Sequence, residues 1–192
     1  MIYLASKSPR RQELLAQLGV DFEVIDIDIH EVRQDGELPA DYVSRVAREK
    51  AGAGLLQLPG NANMLVLGAD TDVVLDGHVL GKPENAQQAY NMLRSLAGCS
   101  HQVITAVWVV SPARELHCIV QTQVRFATLS DAEISTYIES QEPFGKAGGY
   151  AVQGKAAAFI ESIEGSYSGV MGLPIHETYL LLRNFQLPVW SR

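Results

Sequence analysis

A hairpin signal at Val73–Leu80 constrains this chain more than any other feature. Asp76–Gly77 separates two runs of strand formers, Val73–Leu75 and His78–Leu80, and a two-residue Asp-Gly connection selects the turn whose twist matches two antiparallel strands. Counting outward puts Leu75 opposite His78 and Val74 opposite Val79. Continuing the ladder sets Thr71 opposite Lys82, with Asp70 one residue further out, at the end of an apolar strand, Met64–Ala69. Alternation sends Asp70 and Lys82 to different faces unless a bulge intervenes. The spacing predicts three reactive side chains in one neighbourhood without fixing which face each takes.

The remaining elements alternate around this hairpin. Ile2–Ala5 reads as a short strand. Ser6–Lys7–Ser8 leads into a helix with Pro9 at its first position, Leu14, Leu15 and Leu18 inward, and Gly19 as its stop. Phe22–Ile29 alternates and predicts a half-buried strand. A helix is expected from Pro39 to about Leu58, stopped by Pro59–Gly60–Asn61, and another from Pro83 to Leu96, closed by Gly98. His101–Val110 and about Leu116–Thr128 read as paired strands around Ser111–Pro112, and Ser130 with Glu133 makes a capping box for a helix through Ile138. A glycine-rich loop at Gly145–Gly154 precedes an expected strand at Ala157–Ile163, a turn at Glu164–Ser168 and a last helix begun by Pro174. Mixed strand connections with flanking helices predict a mixed α/β domain, with loops gathered at a cleft.

Length and charge narrow the function classes. A chain of 192 residues with 47% apolar and 19% charged residues is expected to form one domain, 1–192, or at most two small lobes sharing a core. Its formal charge of −7 argues against binding long nucleic acids, which requires many phosphates to be neutralised. A small anion remains compatible, because a local cluster of the 15 basic residues can focus positive potential on an acidic protein. No apolar stretch is long enough to cross a bilayer, and Met1–Ile2–Tyr3 lacks the basic start of a signal peptide. A cytoplasmic protein without membrane contact is expected. Cys99 and Cys118 have no metal-ligand spacing and are expected to be buried, reduced thiols.

Three segments carry chemistry. Ser8–Pro9–Arg10–Arg11 opens a helix, so free backbone amides, hydroxyls and a guanidinium can face one anion; an ordinary helix start with two solvated arginines has the same pattern. Asp70, beside Gly68 and Ala69, can hold a cation where little side-chain bulk hinders approach, or can form a turn. Lys146–Gly154 can bring backbone amides to a ligand and offer Gln153 to a base edge, or can be an irregular surface loop. No Walker-type loop, His-Glu-x-x-His or Gly-x-Ser-x-Gly elbow is present.

Together, Leu4–Arg11, Leu67–Thr71, Gly81–Lys82–Pro83, Lys146–Gly154 and Val170–Pro174 resemble the Maf family of nucleotide pyrophosphatases over essentially the whole chain. The resemblance implies a fold related to the inosine triphosphate pyrophosphatases: an elongated mixed sheet flanked by helices in two lobes, with a central nucleotide cleft, in a homodimer. Arg10, Thr71 and Gln153 resemble the branch acting on dTTP and UTP, where the branch acting on methylated GTP tends to carry an aromatic residue, Gln and Glu. An uncharged Gln amide matches the two carbonyls and one N–H of a uracil or thymine edge, whereas a Glu only accepts. Lys7 departs from the small residue common at its position, and His30–Glu31 stands where an acidic pair is common.

The implied reaction is attack of water on the α-phosphorus, giving a nucleoside monophosphate and pyrophosphate. Such chemistry needs positioning and charge stabilisation, for which Ser8, Arg11, Lys50, Lys82 and Lys146 are the candidates. Asp70 is the expected general base, and an ordinary aspartate, with a pKa of about 3.9, is a weak one. Mg²⁺, Mn²⁺ or Co²⁺ held by Asp70 and Glu31 is the expected complement. A nucleotide-binding regulator of cell division and septum formation, without turnover, is the alternative, and modified pyrimidine nucleotides are further candidate substrates.

Overall fold

The computed structural model describes residues 2–59 and 64–190. Among them are seven strands: β1 Ile2–Leu4, β2 Phe22–Val24, β3 Leu65–Leu75, β4 His78–Val79, β5 Ser100–Val110, β6 Glu115–Phe126 and β7 Ile160–Glu164. The helices are α1 Pro9–Ala16, α2 Pro39–Gln57, α3 Ala86–Leu96, α4 Asp131–Glu139, α5 Tyr167–Met171 and α6 Ile175–Asn184. The sheet runs β2-β1-β3-β5-β6-β7, with β4 beside β3. It is mixed: β1 lies parallel to both β2 and β3, while the β3–β4 and β6–β7 pairs are antiparallel.

The chain divides into two compact units. The first comprises Met1–Asp70, Thr105–Val120 and Gly172–Arg192, the second Thr71–Ile104 and Gln121–Met171. In the first, Ala5, Ala51, Val66 and Val110 form a buried cluster. In the second, Leu93, Leu96, Phe126, Ile134 and Tyr150 belong to a larger one. Helix α3 buries Ala89, Leu93 and Leu96, the spacing of one helical stripe, and Asn85 caps it by accepting the Gln88 amide. The capping box of α4 is complete: Ser130 accepts the Glu133 amide, and the Glu133 carboxylate accepts the Ser130 amide.

Several elements differ from their sequence patterns. Only Phe22–Val24 of the alternating run pairs as a strand; Ile25, Ile27 and Ile29 still tuck inward between exposed Asp26, Asp28 and His30, so one-sided burial produced the alternation without a ladder. The two apolar runs before the hairpin are one strand, and Asp70 lies inside it rather than at an end. The register Val74–Val79 and Leu75–His78 is as counted. The strand then ends: Leu80 still donates to the Val73 carbonyl at 2.9 Å, but Gly81 turns away at φ +60°, and Lys82 lies in a loop rather than on the strand opposite Thr71. Helix α3 begins at Ala86, after Asn85 as its cap, rather than at Pro83. The strand expected from Ala157 starts at Ile160, after a 3-10 turn at Lys155–Phe159, and α5 arises where only a turn was expected. Cys99 is exposed and Cys118 half-buried, both as free thiols. Of the expected stop to α2, Gly60–Asn61 lies outside the described residues, as does Met1.

Candidate active site

The charged centre of the first unit rests on a glycine. Gly68 and Asp70 are two apart on β3 and therefore share a face, and that face meets α2. A Cβ on Gly68 would lie 2.4 Å from the Ala47 carbonyl oxygen and 2.6 Å from the Ala51 nitrogen, so glycine lets strand and helix backbones touch. Gly68 is thus filled by a helix rather than left open for a ligand. The close approach carries Lys50, just before Ala51, down onto the strand. Its ammonium donates to Asp70 Oδ1 at 2.8 Å and lies 2.6 Å from Glu31 Oε1. Lys50 is 9% and Asp70 6% exposed, so this ion pair is largely withdrawn from water. Tyr42, on the same helix, donates its hydroxyl to the Glu31 carbonyl at 3.3 Å and ties the acidic segment to α2.

Arg11 adds a second cation. Its Nε donates to the Gly172 carbonyl at 2.9 Å and its Nη1 to Ser6 Oγ at 3.4 Å, which joins the start of α1 to the segment before α6. Burial lowers its pKa, Asp70 and Glu31 oppose that fall, and Arg10 adds to it. Five candidates, Arg10, Arg11, Glu31, Lys50 and Asp70, therefore form one electrostatic group. Ser8 occupies the cap position of α1 with Pro9 next, yet its side chain caps no amide; its own amide donates to Ser6 Oγ at 3.3 Å. Lys7 is exposed and pairs with Asp26 at 2.5 Å.

In the second unit the glycine-rich loop is sewn to the hairpin's end. The Gly148 amide donates to the Gly81 carbonyl at 2.7 Å, and a Cβ on Gly148 would lie 2.9 Å from the Val73 side chain, at a φ of +66°. Glycine alone satisfies both the positive φ and the close approach. This stitching brings the loop of Lys146 beside Gly81–Lys82–Pro83 and the strand that bears Thr71. The Lys146 ammonium donates to the Glu142 carbonyl at 2.6 Å. Tyr150 is buried, and its hydroxyl lies 2.8 Å from His101 Nε2. Both rings pack edge-to-face on Phe126. Burial depresses His101 to about 4, which keeps its imidazole neutral. Gln153 is exposed.

A family profile described as Maf-like protein matches residues 1–185. The chain belongs to the Maf family. It is 53% identical over 184 residues to the dTTP/UTP pyrophosphatase of Escherichia coli strain K12, covering 96% of this chain and 92% of the relative. It is 50% identical over 187 residues to a nucleoside triphosphate pyrophosphatase of Xylella fastidiosa strain M23, covering 97% of this chain and 99% of the relative. The Staphylococcus aureus Ham1 protein structure is similar over 66% of this chain and 71% of that one, at 17% identity and a TM-score of 0.47.

Residue patterns did not single out Glu142 or His101, whose partners Lys155, Ala156 and Tyr150 lie well along the chain.

Proposed function

We propose that this Maf-family chain is a hydrolase that cleaves dTTP and UTP, and modified pyrimidine nucleotides of the same shape, to the nucleoside monophosphate and pyrophosphate. The observation that carries the reading is the Lys50 ammonium held between Glu31 and Asp70 beside Arg11, a charge cluster built from the residues that the family resemblance marks. Identity of 53% to a relative named dTTP/UTP pyrophosphatase supports the choice of substrate.

In the proposed reaction a water oxygen attacks the α-phosphorus, the new P–O bond forms as the α–β bridging bond breaks, and pyrophosphate leaves with the bridging oxygen. Asp70 orients the water and accepts its proton. Lys82 meets charge developing on the phosphates, and Ser8, Arg11, Lys50 and Lys146 neutralise the triphosphate, the main demand of such a transfer. Arg10, Thr71 and Gln153 select the base.

Asp70 and Glu31 suit a hard divalent cation, being carboxylates brought to one ammonium. Among the described residues no group of three or more His, Cys, Asp or Glu gathers to hold a metal. A cation there would therefore share its remaining positions with phosphate oxygens and water, as Mg²⁺ commonly does. When bound, Mg²⁺, Mn²⁺ or Co²⁺ neutralises phosphate charge and makes water a better nucleophile. The chain acts in the cytoplasm as a homodimer, binding neither nucleic acid nor membrane. Among the described residues no helix is long and apolar enough to cross a bilayer.

A panel of nucleoside triphosphates with Mg²⁺, Mn²⁺ and Co²⁺, read out as pyrophosphate, tests this. Pyrophosphate from dTTP and UTP is expected; release of single phosphates, or turnover of purine nucleotides alone, would sink it. Saturable binding without product would instead establish the regulator of cell division.

A further inference from the structure

The carboxylate of Glu142 lies beneath the segment that follows Gln153. Its Oε2 accepts the Lys155 amide at 3.0 Å, and its Oε1 accepts the Ala156 amide at 3.3 Å and the Tyr137 hydroxyl at 3.0 Å. Gly154 presses so close that a Cβ there would lie 2.3 Å from Oε1. The carbonyl of the same residue receives the Lys146 ammonium at 2.6 Å. Glu142 therefore grips both ends of the glycine-rich loop, Lys146 through its backbone and Gly154–Ala156 through its side chain. Gln153 stands exposed between them.

We propose that Glu142 is a positioning residue for base selection, fixing the turn that aims the Gln153 amide at the nucleobase. The proposal rests on the reading of Gln153 given above and deepens it. Three donors converge on two oxygens, which an ionised carboxylate satisfies because it only accepts. A glutamine in its place has one acceptor oxygen and turns an NH₂ toward a donor. Burial alone would raise the Glu142 carboxyl, but the Lys155 amide, the Tyr137 hydroxyl, the Ala156 amide and the nearby Lys146 ammonium hold it below the ordinary glutamate value. The clamp is thus charged at neutral pH. Unlike a general stabilising contact, it acts on the residue that distinguishes one base from another, so its loss falls unequally on different nucleotides.

The test compares specificity constants for dTTP and GTP in the wild type, Glu142→Gln, Gln153→Ala and the double variant. Glu142→Gln should lower the dTTP-to-GTP ratio about tenfold, the scale of one unpaired polar contact in a selective site. In the Gln153→Ala background the same change should leave the ratio where Gln153→Ala put it, because both act through one side chain. Glu142→Asp keeps the charge but draws the carboxylate back from the two amides. It should lower the ratio in the same direction, which covers the case of a poorly folded Glu142→Gln. An active wild type whose ratio survives in Glu142→Gln and Glu142→Asp, or effects that add fully in the double variant, would overturn this proposal alone. A wild type that releases no pyrophosphate from either nucleotide would overturn the functional reading, and this one with it.

Discussion

Lys50 is held between two carboxylates on a helix packed so tightly against β3 that Gly68 has no room for a Cβ. Gln153, by contrast, stands in solvent on a loop shaped by hydrogen bonds to its backbone. The first arrangement suits charge stabilisation, since groups fixed in a packed interior need little reorganisation when charge develops. The second suits recognition, because an exposed side chain on a braced loop can be exchanged without repacking a core. On this contrast, substitutions at Lys50 and the carboxylates it bridges should cost folding or turnover on every nucleotide, and those at Gln153 and the braces of its loop should cost choice between nucleotides.

The largest effect is expected at Lys50. Lys50→Met removes the ammonium between Asp70 and Glu31 and leaves Arg11 to face both carboxylates, and removing one partner of a buried pair typically costs about 3 to 5 kcal/mol. Urea unfolding should show that loss; a shift below about 1 kcal/mol would mean that water or a metal ion already balances the carboxylates. Asp70→Asn is gentler on the fold, since the amide oxygen still accepts from Lys50. Turnover should nevertheless fall by about two orders of magnitude or more, for dTTP and UTP alike. Near-normal turnover with every metal would remove Asp70 from the chemistry.

The second unit has a buried polar pair of its own, which does not depend on charge. His101 is held near a pKa of about 4 by burial, below the ordinary value of about 6.5, so the unfolded chain takes up the proton first as pH falls. The stability from neutral His101 is complete above about pH 6.5, shrinks as pH drops, and is gone once pH passes about 4; it amounts to an order of 3 kcal/mol. Unfolding curves at pH 7.5, 5.5 and 4.5 should show the decline, and His101→Gln should flatten it. An equal slope in the variant would assign the acid sensitivity to carboxylates elsewhere.

How much of this was legible beforehand depends on where each residue's partners lie in sequence. The hairpin register at Val74–Val79 and the capping box at Ser130–Glu133 were readable because their geometry is set within a few residues. The continuation of the ladder to Lys82 was not, because Gly81 leaves it to meet Gly148, 67 positions away along the chain by their numbering. Likewise Gly68 reads as an open approach in sequence and proves to be the contact point of a helix. The motif residues Arg11, Lys50 and Asp70 were identifiable through resemblance, but the ammonium between Glu31 and Asp70 required the fold to bring them together. Glu142 escaped because two of the three donors to its carboxylate are backbone amides, which no residue type advertises.

The loop is probed most directly by Gln153→Glu. On the proposed reading of Gln153, a carboxylate there would put an acceptor where the pyrimidine carbonyls need a donor, an unpaired contact worth about 1 to 3 kcal/mol. The dTTP-to-GTP ratio of kcat/KM should fall by roughly tenfold to a hundredfold, with unfolding unchanged because Gln153 is exposed. Equal losses on both nucleotides would make Gln153 a phosphate-side or loop-shaping residue and erase the contrast between the two regions.

The smallest effect lies on the same helix as the largest. Arg48 and Lys50 are two residues apart on α2, and both bond to carboxylates: Arg48 donates to Glu115 through Nε at 3.0 Å and Nη2 at 2.6 Å. The side chains of Arg48 and Glu115 are 57% and 42% exposed, against 11% and 9% for Lys50 and Asp70. Exposed pairs gain little, because water and salt screen the attraction and two long side chains lose freedom. Arg48 also lies over the Trp108 ring, whose other stacking partner is His117, so the aliphatic stem and ring contact contribute alongside the charge. Arg48→Met keeps much of that stem and should change stability by less than about 1 kcal/mol, with turnover and base selectivity untouched. Measured beside Lys50→Met, it holds the helix and the substituted residue constant and varies burial. If Arg48→Met proved as costly as Lys50→Met, depth in the fold would not be what separates the two ion pairs, and the central role given to the Lys50 cluster would lose its physical basis.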